Sequence, residues 1–328
     1  MKINVRSVAK EAGVSPATVS RYYTGKGIVS TELSRKIEAA AEKLGYERNH
    51  THRYSETVIA VLVPHLRIRF FQEVLQEIIE QIPRYNFRVV FIPVLKDSDD
   101  YKKFFHEINI GGVIYLDEEI DADVLKYISS KNIQTVMCGG VSFDQRSKMV
   151  HINDMAAAYD GTRYLMGFGH RNILVLSDKT KSISSGFQRL MGVKRAFEEA
   201  DLTLEQNMCK FGDMSYRDGC RLVREALDEG LDFTAVFAFS DQMALGAMHV
   251  LAEAGVKVPE DVSVLGFDDL EEAAKSTPEL TTIHQPLKEF VSQTLDTFVH
   301  TREYKSFEIM LPYKIIERRS CSVRRKKT

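Results

Sequence analysis

Residues 4–24 read NVRSVAKEAGVSPATVSRYYT, and this stretch decides the fold of the first part of the chain. Asn4 is placed to cap a first helix, which carries valines and alanines on one face and ends at Gly13. Ser15 is placed to cap a second helix, with Pro16 at the first helical position, where the missing N–H of proline costs nothing. Two helices joined by so short a turn predict a helix-turn-helix.

A third helix is predicted after a loop that contains Gly25 and Gly27. Ser30 is placed to cap it, Gly45 to end it, and its apolar face would be formed by Leu33, Ile37, Ala40, Ala41 and Leu44. The second helix of such a unit fits the major groove of DNA with its N-terminal residues facing the base edges.

Residues 5–21 resemble the DNA-binding headpiece of the lactose/galactose repressor (LacI/GalR) family at nearly every position of both helices. The resemblance implies that Pro16, Ala17 and Arg21 read bases and that Ser15, Thr18, Ser20 and Thr24 contact phosphates. The chemistry agrees, because a guanidinium binds guanine O6 and N7 together and small hydroxyls suit phosphates. The competing interpretation is a helical hairpin with a solvated charged face.

The linker after the headpiece departs from the family, whose hinge becomes helical on operator DNA and inserts a leucine into the minor groove. Asn49 fits the family pattern, but Arg48 replaces the usual proline and Ser55 stands at the leucine position. Tyr54 is the neighbouring candidate for a wedge, and Arg53 belongs to a basic arm that would reach the minor groove. The alternative is a solvated linker. Ser55 cannot wedge between bases, which argues against DNA bending through a leucine.

From residue 58 onward, short β-branched runs alternate with amphipathic helical stretches, which is typical of doubly wound parallel sheets. The predicted strands are Val58–Val63, Arg88–Ile92, Gly112–Leu116, Gln134–Cys138, Asn172–Ser177, Ala235–Phe239 and Val262–Phe267. The predicted helices are Phe70–Arg84, Tyr159–Gly167, Gln188–Glu199, Arg217–Glu229 and Asp241–Ala254. The length suits two such lobes.

The resemblance to the family continues in this region, in the segments GHRNI (169–173), RLMG (189–192), FSDQMALGAM (239–248), VPEDVSVLGFDD (258–269) and PELTTI (278–283). It implies an effector domain similar to periplasmic sugar-binding proteins, with a ligand off the carboxyl ends of the strands. Carried over by position, the effector-binding residues would be Pro64, Phe70, Phe71, Leu116 and Gly139 in one lobe, and Ser185, Arg189, Met214, Ser240, Asp268 and Gln285 in the other.

Several of these positions have a second interpretation. Arg189 offers five donors to hydroxyls or an anion, or it is a helix-surface arginine. Asp268 accepts from two hydroxyls, or it caps the next helix. Phe70 and Phe71 stack on the apolar face of a sugar, or they pack in the core.

Neighbouring positions qualify this site. Asp241 is predicted to cap a helix that begins at Gln242, which leaves Ser240 closer to the ligand. Met214, Leu116 and Gly139 replace an aromatic or polar residue of sugar-responsive relatives, which argues against a simple lactose-like inducer.

The fold class predicted is therefore α/β: an N-terminal three-helix helix-turn-helix headpiece plus a two-lobed periplasmic-binding-protein-like domain of doubly wound parallel sheets. The headpiece would span residues 1–49, a short atypical hinge 50–57, and the effector-binding and dimerisation domain 58–328. Lobe 1 would take about 58–157 and 286–313, and lobe 2 about 158–285 and 314–328.

The net charge of −2 hides an asymmetry. Residues 1–54 carry +5, residues 318–328 carry +6, and the residues between them carry −13. A basic head on an acidic body indicates a polyanion as partner for one end. The basic tail from Arg318 to Lys327 either assists non-specific DNA contact or is a disordered solubilising end.

Composition argues against several other classes of protein. The longest aliphatic run, Val58–Val63, is too short to span a bilayer, and the first twenty residues hold no signal-peptide core. The four cysteines are scattered, so no metal and no cofactor is expected and a cytoplasmic location fits. A phosphate-binding loop, a GxSxG elbow and an HExxH motif are all absent, so no catalytic residues are predicted and the protein is not expected to be an enzyme.

These observations predict a cytoplasmic regulator of transcription, a repressor that binds double-stranded operator DNA as a homodimer and responds to a small carbohydrate, with no membrane partner. The helix over Phe70–Arg84, with Phe71, Leu75 and Ile78 or Ile79 on one side, is the candidate dimer face; packing on its own sheet is the alternative. The alternatives for function are a regulator that responds to a nucleobase or a sugar phosphate, a solute-binding protein, or an enzyme on a similar fold.

Overall fold

A computed structural model describes residues 4–24, 31–44, 46, 58–63, 66, 68–85, 87–93, 103–105, 107–108, 110–116, 122–131, 133–141, 147–178, 184–299 and 308–324. The chain forms two compact units, Met1–Glu56 and Thr57–Thr328.

The first unit is the helical headpiece, with α1 over Val5–Ala12, α2 over Pro16–Thr24 and α3 over Thr31–Leu44. The predicted cap of α1 is confirmed, because the Asn4 side chain accepts from the backbone N–H groups of Arg6 and Ser7. Gly13 ends α1 with a φ of 66°, a left-handed conformation that suits glycine. The Oγ of Ser15 accepts from the N–H of Thr18 at 3.0 Å and caps α2 as predicted.

The core of this unit is small and made of valine, alanine and isoleucine. Val8, Val19 and Ile37 are fully buried, one from each helix. Their burial fixes which face of each helix turns inward, so the three-helix prediction is confirmed within the described residues. The predicted caps Ser30 and Gly45 lie outside those residues.

The second unit contains two six-stranded sheets. Lobe 1 has a parallel sheet in the order β2-β1-β3-β4-β5-β11. Its strands are β1 Val58–Val63, β2 Arg88–Pro93, β3 Ile110–Tyr115, β4 Gln134–Cys138, β5 Lys148–His151 and β11 Glu308–Met310, and its helices are α4 Arg69–Gln81, α5 Ala122–Ser130 and α11 Leu287–Val299.

Lobe 2 has a sheet in the order β7-β6-β8-β9-β10-β12, parallel except for its last strand, β12. Its strands are β6 Ile173–Asp178, β7 Cys209–Gly212, β8 Ala235–Ala238, β9 Ser263–Asp268, β10 Thr281–His284 and β12 Lys314–Ile316. Its helices are α6 Asp154–Gly167, α7 Ser185–Glu199, α8 Tyr216–Asp228, α9 Asp241–Glu253 and α10 Glu271–Lys275.

The chain passes between the lobes at residues 152–153, 285–286 and 311–313. The first of these crossings comes earlier than the predicted boundary at residue 157, because α6 begins at Asp154 and packs on α7 of lobe 2. The predicted strands are present with small shifts at their ends. The structure adds β5, β7, β10, β11 and β12, each of three or four residues, and the helices α5, α10 and α11.

Glycines allow the helix pairs of lobe 2 to approach closely. A Cβ on Gly192 of α7 would lie 2.1 Å from the carbonyl oxygen of Met155 in α6. On Gly219 of α8 it would lie 2.2 Å from the carbonyl oxygen of Met243 in α9. Because both obstacles are backbone atoms, a side chain at either position would force the helices apart.

We therefore expect Gly192→Ala to lower the free energy of unfolding by about 1–3 kcal/mol, the usual range for overpacking. Gly167→Ala is the matched control, since nothing lies within 4 Å of its Cβ position, and it should be neutral or stabilising by up to about 1 kcal/mol. Urea unfolding followed by circular dichroism measures both. Equal effects of the two substitutions would contradict the close approach of α6 and α7.

Candidate functional site

The headpiece presents the predicted base-reading residues on one exposed face of α2. Pro16, Ala17 and Arg21 are exposed, while Val19 on the opposite side is fully buried. Arg21 is held along the helix, with its Nε 3.4 Å from the carbonyl oxygen of Ala17. The face therefore offers an exposed guanidinium beside a small apolar surface.

The predicted phosphate contacts lie beside this face. Ser15 and Ser20 are exposed, and Thr18 is partly buried with its hydroxyl 2.8 Å from that of Ser15. The side chain of Thr24 and the residues Asn49, Arg53 and Tyr54 lie outside what the structure describes.

Arg189 is the centre of the polar cluster at the carboxyl edge of the lobe 2 sheet. Its Nε donates to Asp154 Oδ1 at 2.7 Å, and its Nη1 donates to the carbonyl oxygen of Phe239 at 2.6 Å. The guanidinium lies 3.6 Å from the centre of the Phe267 ring. Arg189 is 6% exposed and Asp154 3%, so the helix-surface interpretation of Arg189 is wrong.

Asp268 lies at the end of β9 with a φ of 115°, a conformation rare outside glycine. Its carboxylate accepts from Gln285 Nε2 at 2.7 Å and from the backbone of Asp241. Burial raises the pKa of Asp268 to about 7, although Arg189 and Gln285 act in the opposite direction. Asp268 does not cap the next helix, because Leu270 is the N-terminal cap of α10.

Asp241 does not cap a helix either, which corrects the prediction. Ser240 is the cap of α9: its Oγ accepts from the N–H of Met243 at 3.2 Å and donates to the carbonyl oxygen of Met214 at 2.9 Å. The carboxylate of Asp241 accepts from the N–H of Leu270 at 2.7 Å and from the Thr282 hydroxyl at 2.5 Å. Asp268 thus holds the backbone of Asp241, and Asp241 holds the backbone of Leu270, two residues after Asp268.

Two aspartates near Arg189 were not predicted as site residues. Asp154 is its ion-pair partner, and Asp178 ends β6 at the same edge of the sheet. Burial raises the pKa of Asp178, against the charge of Arg189 and hydrogen bonds from Ser184 and Ser177. A Cβ on Gly186 would lie 1.9 Å from Asp178 Oδ1, so the glycine makes room for this carboxylate. Asp178 directly follows a predicted strand, and this position in the sequence could have identified it as a site residue.

The carboxyl edge of lobe 1 is less polar. Phe70 and Phe71 are partly buried with their rings edge to face, 5.9 Å apart. The Phe70 ring lies 3.5 Å from the position of a Cβ on Gly139, whose φ is 87°. Leu116 is 4% exposed and belongs to the core. Pro64 lies outside the described residues.

Arg318 has a structural partner in lobe 2. Its Nη2 donates to Asp269 Oδ1 at 2.6 Å and its Nη1 to the carbonyl oxygen of Leu280 at 2.8 Å, while His284 lies 2.9 Å from the other oxygen of Asp269. Burial acts to raise the pKa of Asp269, but the hydrogen bonds from His284 and Arg318 outweigh it and lower that pKa. Arg318 therefore has neither of the two roles predicted for the basic tail, which were DNA contact and a disordered end.

Within the described part of the chain, no group of three or more histidine, cysteine or acidic residues is placed to hold a metal ion. No described helix has both the length and the apolar character that crossing a membrane requires.

Two family profiles match the chain. The profile described as "Bacterial regulatory proteins, lacI family" matches residues 4–49, and "Periplasmic binding protein-like domain" matches residues 162–321. These ranges contain the exposed face of α2 and most of the polar cluster around Arg189.

Named relatives are similar over nearly the whole chain. The HTH-type transcriptional repressor CytR of Escherichia coli (strain K12) is 30% identical, with 86% of this chain and 84% of that protein covered. Catabolite control protein A of Priestia megaterium is 27% identical, with 98% and 99% covered. The structure of a "transcriptional regulator CelR-cellobiose complex" is 26% identical with a TM-score of 0.71, with 97% of this chain and 100% of that chain covered.

The raised pKa of Asp268 predicts a pH dependence of stability. A carboxyl whose pKa rises from 3.8 to about 7 on folding binds more protons in the folded state between these values. The stability it contributes is therefore complete below about pH 4 and is lost as the pH rises through about 7. Asp268→Asn removes this titration.

We expect the wild type to lose more stability than Asp268→Asn between about pH 5 and pH 8. Urea unfolding midpoints at several pH values measure the difference, and Glu225→Gln in α8, at a partly exposed ion pair with Arg221, is the control. Parallel pH profiles of the wild type and Asp268→Asn would contradict the raised pKa.

Proposed function

This chain belongs to the lacI family of bacterial regulatory proteins, and we propose that it is a repressor that binds operator DNA as a homodimer. Binding of a carbohydrate would lower or raise its affinity for that DNA. As a member of that family it is a transcriptional regulator with a DNA-binding and an effector-binding domain. We propose that it acts in the cytoplasm, where its DNA partner would lie. Its relatives are regulators, and we propose that the cleft binds its ligand without turnover.

The exposed face of α2 is the observation that carries the DNA-binding proposal. The exposed Arg21 would reach a guanine, and Pro16 and Ala17 are small enough to let the helix approach the base edges. The Ser15, Thr18 and Ser20 hydroxyls beside them would contact phosphates and fix the position of the helix. Each headpiece of a dimer would then read one half of a palindromic operator.

The polar edge of lobe 2 supports a ligand rich in hydroxyl groups. Asp268 and Asp178 present carboxylate acceptors within the field of Arg189. Hydroxyls that donate to carboxylates and accept from a guanidinium suit such a set of groups. Phe70 at the carboxyl edge of lobe 1 would cover an apolar face of the same ligand.

The dimer face is proposed on α4. Ile79 is 52% exposed, and Phe71 and Leu75 are partly buried, which leaves apolar surface for a second copy. Ile78, the neighbouring candidate, is 1% exposed and packs in the core of its own chain. A ligand that favours one orientation of the lobes would change the spacing of the two headpieces, with a typical coupling of about 1–3 kcal/mol.

Arg21→Ala tests the DNA-binding proposal. A duplex selected from a random library by the wild type should bind Arg21→Ala more weakly by about 1–3 kcal/mol, because a bidentate contact to guanine is lost. Gel-shift titrations measure the affinity, and wild-type affinity should fall steeply between about 50 and 200 mM salt. Arg195→Ala, at an exposed arginine of lobe 2, is the control. Undiminished binding by Arg21→Ala would count against the proposed role of α2.

Arg189→Lys tests the effector site. We expect a thermal-shift screen of mono- and disaccharides to give a hit, and the variant to lose the response because a lysine cannot replace the planar fork of donors. Lysine keeps the charge that faces buried Asp154, so the protein should fold. Arg195→Lys on the exposed side of the same helix is the matched control. A hit that Arg189→Lys retains would place the ligand elsewhere.

A further inference from the structure

An ion pair joins the two lobes beside the proposed effector site. Arg69 is the first residue of α4 in lobe 1, and Glu272 lies in the first turn of α10 in lobe 2. Nε of Arg69 is 3.0 Å from Oε1 of Glu272. Arg69 immediately precedes Phe70, and Glu272 follows Asp268 by four residues, so the pair spans the carboxyl edges of both sheets.

The N-terminus of α4 is an unfavourable position for an arginine. A helix N-terminus carries a partial positive charge, which disfavours a cation there. The cap residue Ile68 makes no side-chain hydrogen bond, and the first turn of α4 contains no acid. Glu272, by contrast, lies at the end of α10 that favours a negative charge. Arg69 therefore costs α4 some stability, and its acidic neighbours offset that cost.

Residues of lobe 1 hold the Arg69 guanidinium in place. Nη1 donates to Gln72 Oε1 at 2.8 Å, and Nη2 lies 2.9 Å from Glu73 Oε1. Gln72 in turn donates to the carbonyl oxygen of Leu66 at 2.6 Å. Nε is the atom that faces Glu272 of lobe 2. The charge of Arg69 also lowers the pKa of Glu271 in that lobe, after the larger effect of Lys275.

The charged groups of Arg69 and Glu272 lie close together, but their relative orientation is not that of a good hydrogen bond. Nε of Arg69 and Oε2 of Glu272 are shielded from solvent, and neither makes a hydrogen bond of good geometry within the described structure. Both side chains are otherwise more than a third exposed. A small rotation of one lobe would improve or break this contact, while the contacts to Gln72 and Glu73 would move with lobe 1.

We propose that the Arg69–Glu272 ion pair is a strap that holds the lobes together across the effector cleft and sets how readily the cleft opens. The proposal rests on the proposed function, because it assigns a means of regulation to the same cleft. A ligand that changes the angle between the lobes would act against this strap or with it. The strap would thereby set the balance between the two states that the headpieces sense.

Hydrogen exchange of the full-length protein, followed by mass spectrometry with no ligand added, tests the strap. Glu272→Gln removes the charge and keeps the shape. We expect amides at the cleft, such as those of Gly139 and Leu270, to exchange about two- to fivefold faster, the range for a partly exposed ion pair. Amides of the β8 core should be unchanged. Raised salt screens the ion pair and should bring the exchange rates of the wild-type cleft amides closer to those of Glu272→Gln.

Glu73→Gln is the matched control, because it removes the partner of the same arginine within lobe 1 and should not speed exchange at the cleft. Arg69→Gln should match Glu272→Gln, and the double variant should exchange no faster than either. Three results would overturn the strap. They are wild-type exchange rates at the cleft in Glu272→Gln, an equal rise of those rates in Glu73→Gln, and a rise in the double variant that equals the sum of the two single effects. DNA binding and the sugar screen are measured separately, so a failed strap would leave the proposed function standing.

Discussion

The buried ion pair between Arg189 and Asp154 is the contact on which the site in lobe 2 depends. It joins the start of α6 to α7, and through the carbonyl oxygen of Phe239 it reaches the end of β8. Removing either partner would leave an unpaired charge in the interior, which strongly destabilises the folded state. The arginine is therefore both a structural element and a candidate ligand contact, with two of its five N–H donors engaged by Asp154 and Phe239.

The turn that carries Asp268 shows how side chains maintain a strained backbone. Asp268 and Asp269 both have positive φ angles, of 115° and 61°, which cost free energy in residues other than glycine. Asp241 holds the N–H of Leu270 on one side of the turn, and Arg318 holds Asp269 on the other. The position of the Asp268 carboxylate is thus determined by residues that would not themselves touch a ligand.

Sequence patterns predicted what is local and periodic. The helix-turn-helix followed from caps and apolar spacing within twenty residues, and the long β-branched runs gave the central strands of both sheets. Strands such as β12 are too short to show a period, and their stability comes from pairing with distant strands. Asp241 was misassigned for the same reason: its partners lie 29 and 41 residues away, and the partner of Arg318 lies 49 residues away.

The two carboxyl edges differ in chemistry, and this difference bears on how a ligand signal would travel. The site residues predicted on lobe 2 are mostly charged or amide groups, whereas those described on lobe 1 are Phe70, Phe71, Leu116 and the bare backbone of Gly139. Hydrogen bonds would therefore fix a polar ligand on lobe 2 first, because their geometry is demanding. A ligand's contact with the apolar residues of lobe 1 would gain free energy as closure of the lobes buries their surface. Affinity would then reside mainly in one lobe and the conformational response in the approach of the other.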